Sequence, residues 1–495
     1  MEETSSDVVV VGAGNAALCA ALSARERGAS VLVLEAAPFD ARGGNSRFTA
    51  GAMRVPYDGL ADILKLIPDL GAAERANTEF AGYSRDAFFD DMARLTQYRA
   101  QPELVEILVN RSFDALMWLR GHGIRFLPAY GAQAFNVNNK YRFGDGLTIE
   151  AVGGGPGLVD TLTSAVRRGG GRVLYGARAT ALVADAGGVR GVRLRHDGRE
   201  FAVAARAVVL ACGGFESNAE WRARYIGPGW DLAKVRGTCF NMGDGIRMAL
   251  DVGARPHGHW SGCHAVGWDM NAPEFGDLAV GEKFQKHSYP LGIILNARGE
   301  RFVDEGADLR NFTYAKYGRA VLEQPGQFAW QVFDARVATL LNDDYRIRQV
   351  TKVTADTLEG LAAKLEGVDG AGFLRTVAAF NAAVRDDVPF NPAVKDGRGT
   401  QGLALPKSNW ANRIETPPFE AYGITCGITF TFGGVKIDTE GRVLDTADDP
   451  IPGLYAAGEM VGGLFYHNYP SGSGLTSGTV FGRLAGASAG GFARA

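Results

Sequence analysis

The chain holds no apolar run approaching the roughly 20 residues that would cross a bilayer, so no transmembrane segment is expected. Cysteine is scarce: Cys19, Cys212, Cys239, Cys263 and Cys426 are scattered with no C-x-x-C. That spacing argues against a disulfide framework or an iron–sulfur site and suits a reducing cytoplasm. Charge of one sign is missing too. Lys and Arg number 52 against 55 Asp and Glu, and no basic stripe marks a nucleic-acid partner. The opening Met-Glu-Glu-Thr-Ser-Ser-Asp lacks the basic and apolar regions of a signal peptide. Histidines are few, and His257, His259 and His264 have no carboxylate or cysteine at ligand spacing, so no metal site is expected.

What the chain has in quantity is glycine, 67 of 495 residues, and it is clustered. Asp7 and four valines lead into Gly12-Ala-Gly14-Asn15-Ala16-Ala17, then a helix-forming stretch to Arg27, then Ser30 to Leu34 ending on Glu35. Four valines in a row suit a strand buried on both faces of a parallel sheet. Gly12 permits the tight turn, Gly14 lets backbone approach a pyrophosphate, and Ala17 keeps helix and strand close. The phosphates would sit on the helix N-terminus, and Glu35 is placed to accept from a ribose hydroxyl.

A second small-residue cluster, Gly43-Gly44-Asn45-Ser46 with Thr49-Ala-Gly51, follows directly. The far end adds Gly453-Leu-Tyr-Ala-Ala-Gly458-Glu459 and Gly472-Ser473-Gly474-Leu475-Thr476-Ser-Gly478. Three such clusters bracketing the chain indicate FAD. Ala179, Ala211 and Gly213, beside short β-runs, complete the expected cofactor set.

A chain of this length exceeds one ordinary core. The expected fold is α/β: a Rossmann-like FAD-binding domain, a parallel sheet with an inserted β-meander, plus an α+β capping domain. Residues 1–255 form the first part of the FAD-binding domain, with a helical insertion at 52–150. Residues 256–424 form the capping, substrate-binding domain, and 425–495 return to the first. The meander is expected over Arg172–Tyr175, Ala177–Asp185, Gly191–Arg195 and Glu200–Ala204, before a separate buried strand from Arg206. Helices are expected near 315–323, 355–366 and 371–386, and a surface loop over 388–418.

Gly12-Ala-Gly, Gly43-Gly-Asn-Ser, Gly299-Glu-Arg-Phe-Val-Asp-Glu305, Gly433-Gly-Val-Lys-Ile-Asp and Gly453-Leu-Tyr-Ala-Ala-Gly-Glu resemble the fumarate reductase/succinate dehydrogenase flavoprotein superfamily, in that family's order. Asp304 to Ala315 and Gly463 to Gly478 look most like FAD-dependent tricarballylate dehydrogenases. The resemblance implies oxidation of a C–C single bond beside a carboxylate, tricarballylate to cis-aconitate in type, with hydride passing to flavin N5. It also implies a small polycarboxylate substrate and a separate electron acceptor, a membrane-associated one among the options.

Where some members attach FAD through histidine this chain has Asn45, so noncovalent FAD is expected. Thr429 and Phe430 stand where fumarate reductases have a histidine pair, and Tyr469 where they have a carboxylate-gripping arginine. The Tyr469-Pro-x-Gly-x-Gly pattern also resembles 3-ketosteroid Δ1-dehydrogenases, in which such a tyrosine polarises a ketone. A flavin-holding module without its own substrate is a third class.

The candidate catalytic residues are Arg310, His264, Tyr469 and His467. Arg310 matches the family's proton-transfer arginine, one residue later in spacing. A guanidinium with a pKa above 12 is an odd proton carrier, and gripping a carboxylate is its ordinary role. A structural ion pair with Asp304, Glu305 or Asp308 is the alternative. His264 falls near the family's substrate-binding histidine, and His467 and Tyr469 are expected near the flavin. Lys283, Lys286 and His287 make the capping region locally basic.

Overall fold

The computed structural model describes residues 5–495; Met1–Thr4, most of the acidic opening read above, lie outside the described residues. The valine run forms the strand Ser5–Val11, with Val8, Val9 and Val10 fully buried. It pairs in parallel with Val31–Glu35 on one side and Arg199–Leu210 on the other. Arg172–Tyr175 continues the parallel order beyond Val31–Glu35, and Pro450–Ala456 adds in parallel to the end of Arg199–Leu210. With Arg178–Asp185, Gly188–His196 and Arg442–Leu444 they make one eight-stranded sheet.

Two details of this sheet differ from the sequence expectation. Arg172–Tyr175 is not a meander strand but the parallel neighbour of Val31–Glu35. The meander's last strand and the strand expected from Arg206 are one continuous element, Arg199–Leu210. Its first half pairs antiparallel with Gly188–His196 and its second half in parallel with Pro450–Ala456, both along the same edge.

The 52–150 insertion carries the helices Arg85–Leu95 and Pro102–Gly121, together with two small three-stranded sheets. In Pro102–Gly121 the apolar positions Leu104, Ile107, Leu108, Leu116 and Leu119 are buried at helical spacing, as core.

The second large sheet is built on Phe419–Val435, a 17-residue strand. Pro256–Asp269 runs antiparallel along most of its length, and Phe328–Phe333 and Lys352–Ala355 pair with its first part. This strand passes through residues 424 and 425 unbroken, so the chain crosses from cap to FAD-binding half along one element. The helices Tyr314–Leu322 and Gly370–Ala383 stand near their expected places, while the one expected at 355–366 is only Leu358–Ala362. The 388–418 stretch is not a surface loop: Lys407, Trp410, Ala411 and Ile414 are buried, and the Lys407 ammonium donates to the carbonyls of Pro290 and Gly292.

The last helix, Ser473–Arg494, lies against the first, Asn15–Glu26, backbone to backbone. Gly482, Gly486 and Gly490, four residues apart, face Ala16, Ala20 and Ala24; a Cβ at Gly486 would stand 2.1 Å from the Ala20 carbonyl oxygen. That contact seats the C-terminal glycine cluster beside the first turn.

Candidate active site

One cavity runs from the end of the second strand to the cap. Its first wall is the N-terminal turn. Gly12 has φ +106°, and a Cβ there would lie 2.4 Å from the Ala211 carbonyl oxygen, so only glycine lets the two strand ends approach. The Asn15 N–H, first of its helix, donates to Ser46 Oγ at 3.0 Å, which ties the second glycine cluster to the helix N-terminus. Glu35 is buried and accepts from the N–H of Ala13 and of Ala37, both at 2.9 Å. Each carboxylate oxygen keeps a second lone pair, so a hydroxyl can still donate to it.

Gly12, Gly14, Asn15, Ala16, Glu35, Gly44, Asn45, Ser46, Thr49, Ala179, Ala211, Gly213, Gly458, Glu459, Gly474 and Leu475 all line this cavity. The donor set fits a dinucleotide: an acid at one end, a helix N-terminus, then small residues along the path. Three of the expected cofactor residues are turned elsewhere. Gly51 packs on Gly154, where a Cβ would come within 2.9 Å. Ser473 and Thr476 are fully buried and spend their hydroxyls on the carbonyls of Pro470 and Gly472. Ser477, Gly478 and Phe481, one helical turn on, line the cavity in their place.

Asn45 lines the cavity but its amide is committed. Nδ2 donates to Glu216 Oε1 and to the Thr429 carbonyl, both at 2.6 Å, and Oδ1 accepts from Thr238 N–H at 2.9 Å. It fastens the N-terminal half to the strand Phe419–Val435. Asn241 Nδ2 also donates to Glu216 Oε1, at 2.5 Å. Glu459 accepts from Thr431 N–H at 2.8 Å and lies beside Glu216; burial, then that neighbour, pushes its carboxyl well above the usual range.

At the cap end the lining is Arg236, Glu282, Gln285, His287, Arg310 and Asn311, facing Tyr314, Phe430, Phe465 and Tyr469. Arg310 and Asn311 both donate to Gln133 Oε1, which the helical insertion supplies. The three carboxylates considered as its ion-pair partners are engaged elsewhere: Asp304 with Ser408, Glu305 with Arg301 at 2.5 Å and Asp308 with Arg94 at 2.7 Å. Arg236 reaches Glu282 at 3.2 Å, and Glu282 also accepts from Ala50 N–H at 2.8 Å.

The Tyr469 hydroxyl meets that of Tyr314, which also donates to Ser471 Oγ at 3.1 Å; burial pushes both phenols up. Phe430 stands edge-on to Tyr469 with centroids 5.2 Å apart. His264 is fully buried behind this wall, stacked on Phe430 at 5.2 Å and edge-on to Tyr314 and Tyr469. Burial, then Arg236, holds it neutral, and neither ring nitrogen has a hydrogen-bond partner among the described residues.

His467 does not join them. Its ring is exposed on the outer face, with φ +60° and its N–H donating to His259 Nδ1 at 3.0 Å. The turn that points Tyr469 inward points His467 out. The basic cluster is also different from its sequence appearance. The Lys286 ammonium is buried among the carbonyls of Lys283, Phe284, Gln285 and Asp344 at 3.1–3.2 Å, and only His287 reaches the cavity. Arg236 and Gln133 have no signal of their own: each sits outside any motif and arrives through the tertiary fold. Among the described residues no cluster of three or more His, Cys, Asp or Glu could hold a metal, and no helix is long and apolar enough to cross a membrane.

Residues 7–475 match the family described as FAD binding domain. The chain belongs to that family. It is 30% identical over 492 residues to the probable fumarate reductase Ifc3 of Shewanella frigidimarina (strain NCIMB 400), covering 97% of this chain and 74% of that one. A 3-oxosteroid 1-dehydrogenase of Mycobacterium tuberculosis (strain ATCC 25618 / H37Rv) is 28% identical over 567 residues, covering 97% of each. Among solved structures, the open conformation of a flavocytochrome c3 fumarate reductase superposes with a TM-score of 0.72 at 28% identity, over 99% of this chain and 79% of that one. The family member described here is an FAD-dependent oxidoreductase of the fumarate reductase kind, and FAD is its cofactor.

Proposed function

We propose that the chain is a cytoplasmic dehydrogenase of the C–C bond beside a carboxylate, tricarballylate its model substrate, with noncovalently held FAD and a separate electron acceptor. The observation that carries the reading is that Arg310 lines the same cavity as the three glycine clusters. The FAD-binding part is residues 1–255 and 425–495, and the cap is 256–424.

The glycine turn, Glu35 and Ser46 would hold the nucleotide, and Gly44, Thr49, Glu459 and Leu475 the flavin half. Bound there, FAD supplies the two-electron oxidant. The protein's own share is binding and orientation. Arg310 brings a guanidinium into the cavity as the charge that would attract a carboxylate, held by Gln133, whose Oε1 also accepts from Asn311. Arg236 adds positive charge nearby, partly offset by Glu282. The wall of Phe430, Phe465 and Tyr469 excludes water from the opposite side.

That same wall favours a second reading, a ketosteroid-like desaturase in which Tyr469, hydrogen-bonded to Tyr314, polarises a ketone. Anaerobic mixing of the yellow protein with tricarballylate separates the two. Bleaching of the visible flavin band supports the carboxylate reading. An unchanged spectrum with tricarballylate and bleaching with a 3-ketosteroid would replace it.

A further inference from the structure

Arg236 stands at the cap end of the cavity with donors to spare. It follows the short strand Lys234–Val235, which pairs with Gly427 and Ile428 of the 17-residue strand, and its own N–H donates to the Ile428 carbonyl at 2.7 Å. Two residues on, the Thr238 N–H is held by Asn45 Oδ1 at 2.9 Å. The backbone is thus fixed on both sides. The residue is only 6% exposed and lines the cavity.

A guanidinium carries five N–H donors. Here Nη2 meets Glu282 at 3.2 Å, Nη1 reaches Thr429 Oγ1 at 3.5 Å, long for a hydrogen bond, and Nε has no partner among the described residues. Glu282 is not free to turn further toward the arginine, because the Ala50 N–H holds the same oxygen at 2.8 Å. Of the facing wall, Phe430 and Phe465 carry no acceptor, and the hydroxyls of Tyr314 and Tyr469 are bonded to each other. A buried donor left without a partner in a ligand cavity calls for an acceptor on the ligand.

The charges of Arg310 and Arg236 both act on the His287 ring and on the Tyr314 phenol, so the two guanidiniums flank one part of the cavity. Two kinds of oxygen could meet Arg236 there: a carbonyl of the flavin, or a second carboxylate on the molecule drawn to Arg310. The carboxylate is the better match for a desolvated cation, because charge-assisted hydrogen bonds are roughly twice as strong as neutral ones.

We infer that Arg236 is a second carboxylate anchor and sets the substrate class: a molecule with at least two carboxylates, one at Arg310 and one at Arg236. The inference rests on the proposed function and narrows it. A mono-acid would leave the Arg236 donors buried and unmet, and discrimination against it follows from that cost.

The test uses the FAD-loaded enzyme and the variants Arg236→Gln and Arg236→Lys, each checked for flavin content and visible spectrum. Anaerobic calorimetry on the reduced enzyme, in which no oxidation intervenes, measures affinity for tricarballylate and for butanoate, a mono-acid. Wild type should prefer tricarballylate. Arg236→Gln should weaken tricarballylate binding by about 10–100-fold and change butanoate binding by less than about 3-fold, with Arg236→Lys recovering part of the loss. An equal change for both acids, or none for either, would overturn the inference and leave Arg236 as the ion-pair partner of Glu282. Loss of flavin from both variants would overturn it as well, giving the donors to FAD. Wild type that binds butanoate at least as tightly as tricarballylate would overturn it while the carboxylate reading stands. Wild type that binds neither acid would remove the function first, and this inference with it.

Discussion

The hydroxyl of Tyr314, on the cap's helix, is hydrogen-bonded to the hydroxyl of Tyr469, on the segment entering the last helix, and both rings are buried. Removing one oxygen tests what the pair does. Tyr314→Phe leaves the Tyr469 hydroxyl without this partner in a dry wall, and a loss of about 1–3 kcal/mol in unfolding free energy is expected. Tyr469→Phe separates the two readings of function. With a carboxylate substrate, the rate of flavin bleaching should stay within about 10-fold of wild type. A ketone polarised by this hydroxyl would lose about 100-fold or more.

Arg310 is expected to carry substrate affinity. Charge-assisted hydrogen bonds contribute about 1.5–3 kcal/mol, so Arg310→Gln should weaken tricarballylate binding by about 10–100-fold. Arg310→Lys keeps the charge but loses the planar fork, and should recover only part of it. Calorimetric titration of each variant reads this directly. Equal affinity in all three would move the carboxylate to Arg236.

Glu216 and Glu459 set a pH dependence. Glu216 Oε1 already receives two amide protons, from Asn45 and Asn241, while its Oε2 has no hydrogen-bond partner among the described residues and Glu459 lies beside it. One proton shared between the two carboxyls satisfies both. Burial raises each above the ordinary carboxyl value, so the folded state holds more protons than the unfolded chain above about pH 4.5. Stability contributed by this pair is therefore present at low pH and lost as pH rises through the folded values, at up to about 1.4 kcal/mol per pH unit. Glu459→Gln replaces the protonated partner by an amide of the same shape. Its melting temperature should change less with pH between 5 and 8 than that of wild type.

The parts of this site that were legible in the sequence are those in which local geometry and function coincide. Gly12, Gly14 and Glu35 sit within one strand–turn–helix–strand unit, so their spacing alone specified the turn and the acid. The strand Arg199–Leu210 reads as two in the sequence because its burial changes midway: 201–206 alternate between solvent and core, whereas 207–210 are buried on both faces. One element with two sets of neighbours carries two patterns. Ser473 and Thr476, expected at the cofactor, do not line the cavity, because glycine spacing shows where backbone comes close, not which side of the helix meets the cavity. His467 and Tyr469 are two residues apart, but the left-handed backbone at His467 sends them in opposite directions, which composition does not signal. Arg236 and His287 come from irregular segments of the cap side whose meeting depends on the 17-residue strand Phe419–Val435.

The close contact of first and last helices yields the last prediction. Gly486 is fixed by space, since its φ is ordinary and a Cβ would stand 2.1 Å from the Ala20 carbonyl oxygen and 2.7 Å from its Cα. Both are backbone atoms, so neither can swing aside as a side chain would. Gly486→Ala must therefore push the helices apart, at a cost of about 1–3 kcal/mol. The separation would reach the cavity, because Gly474, Leu475, Ser477 and Gly478 ride on the displaced helix and Gly14 to Ala16 on the other. A lower melting temperature together with weaker FAD retention on gel filtration is expected. Gly491, on the same helix with open space where its Cβ would be, is the control, and Gly491→Ala should leave both unchanged.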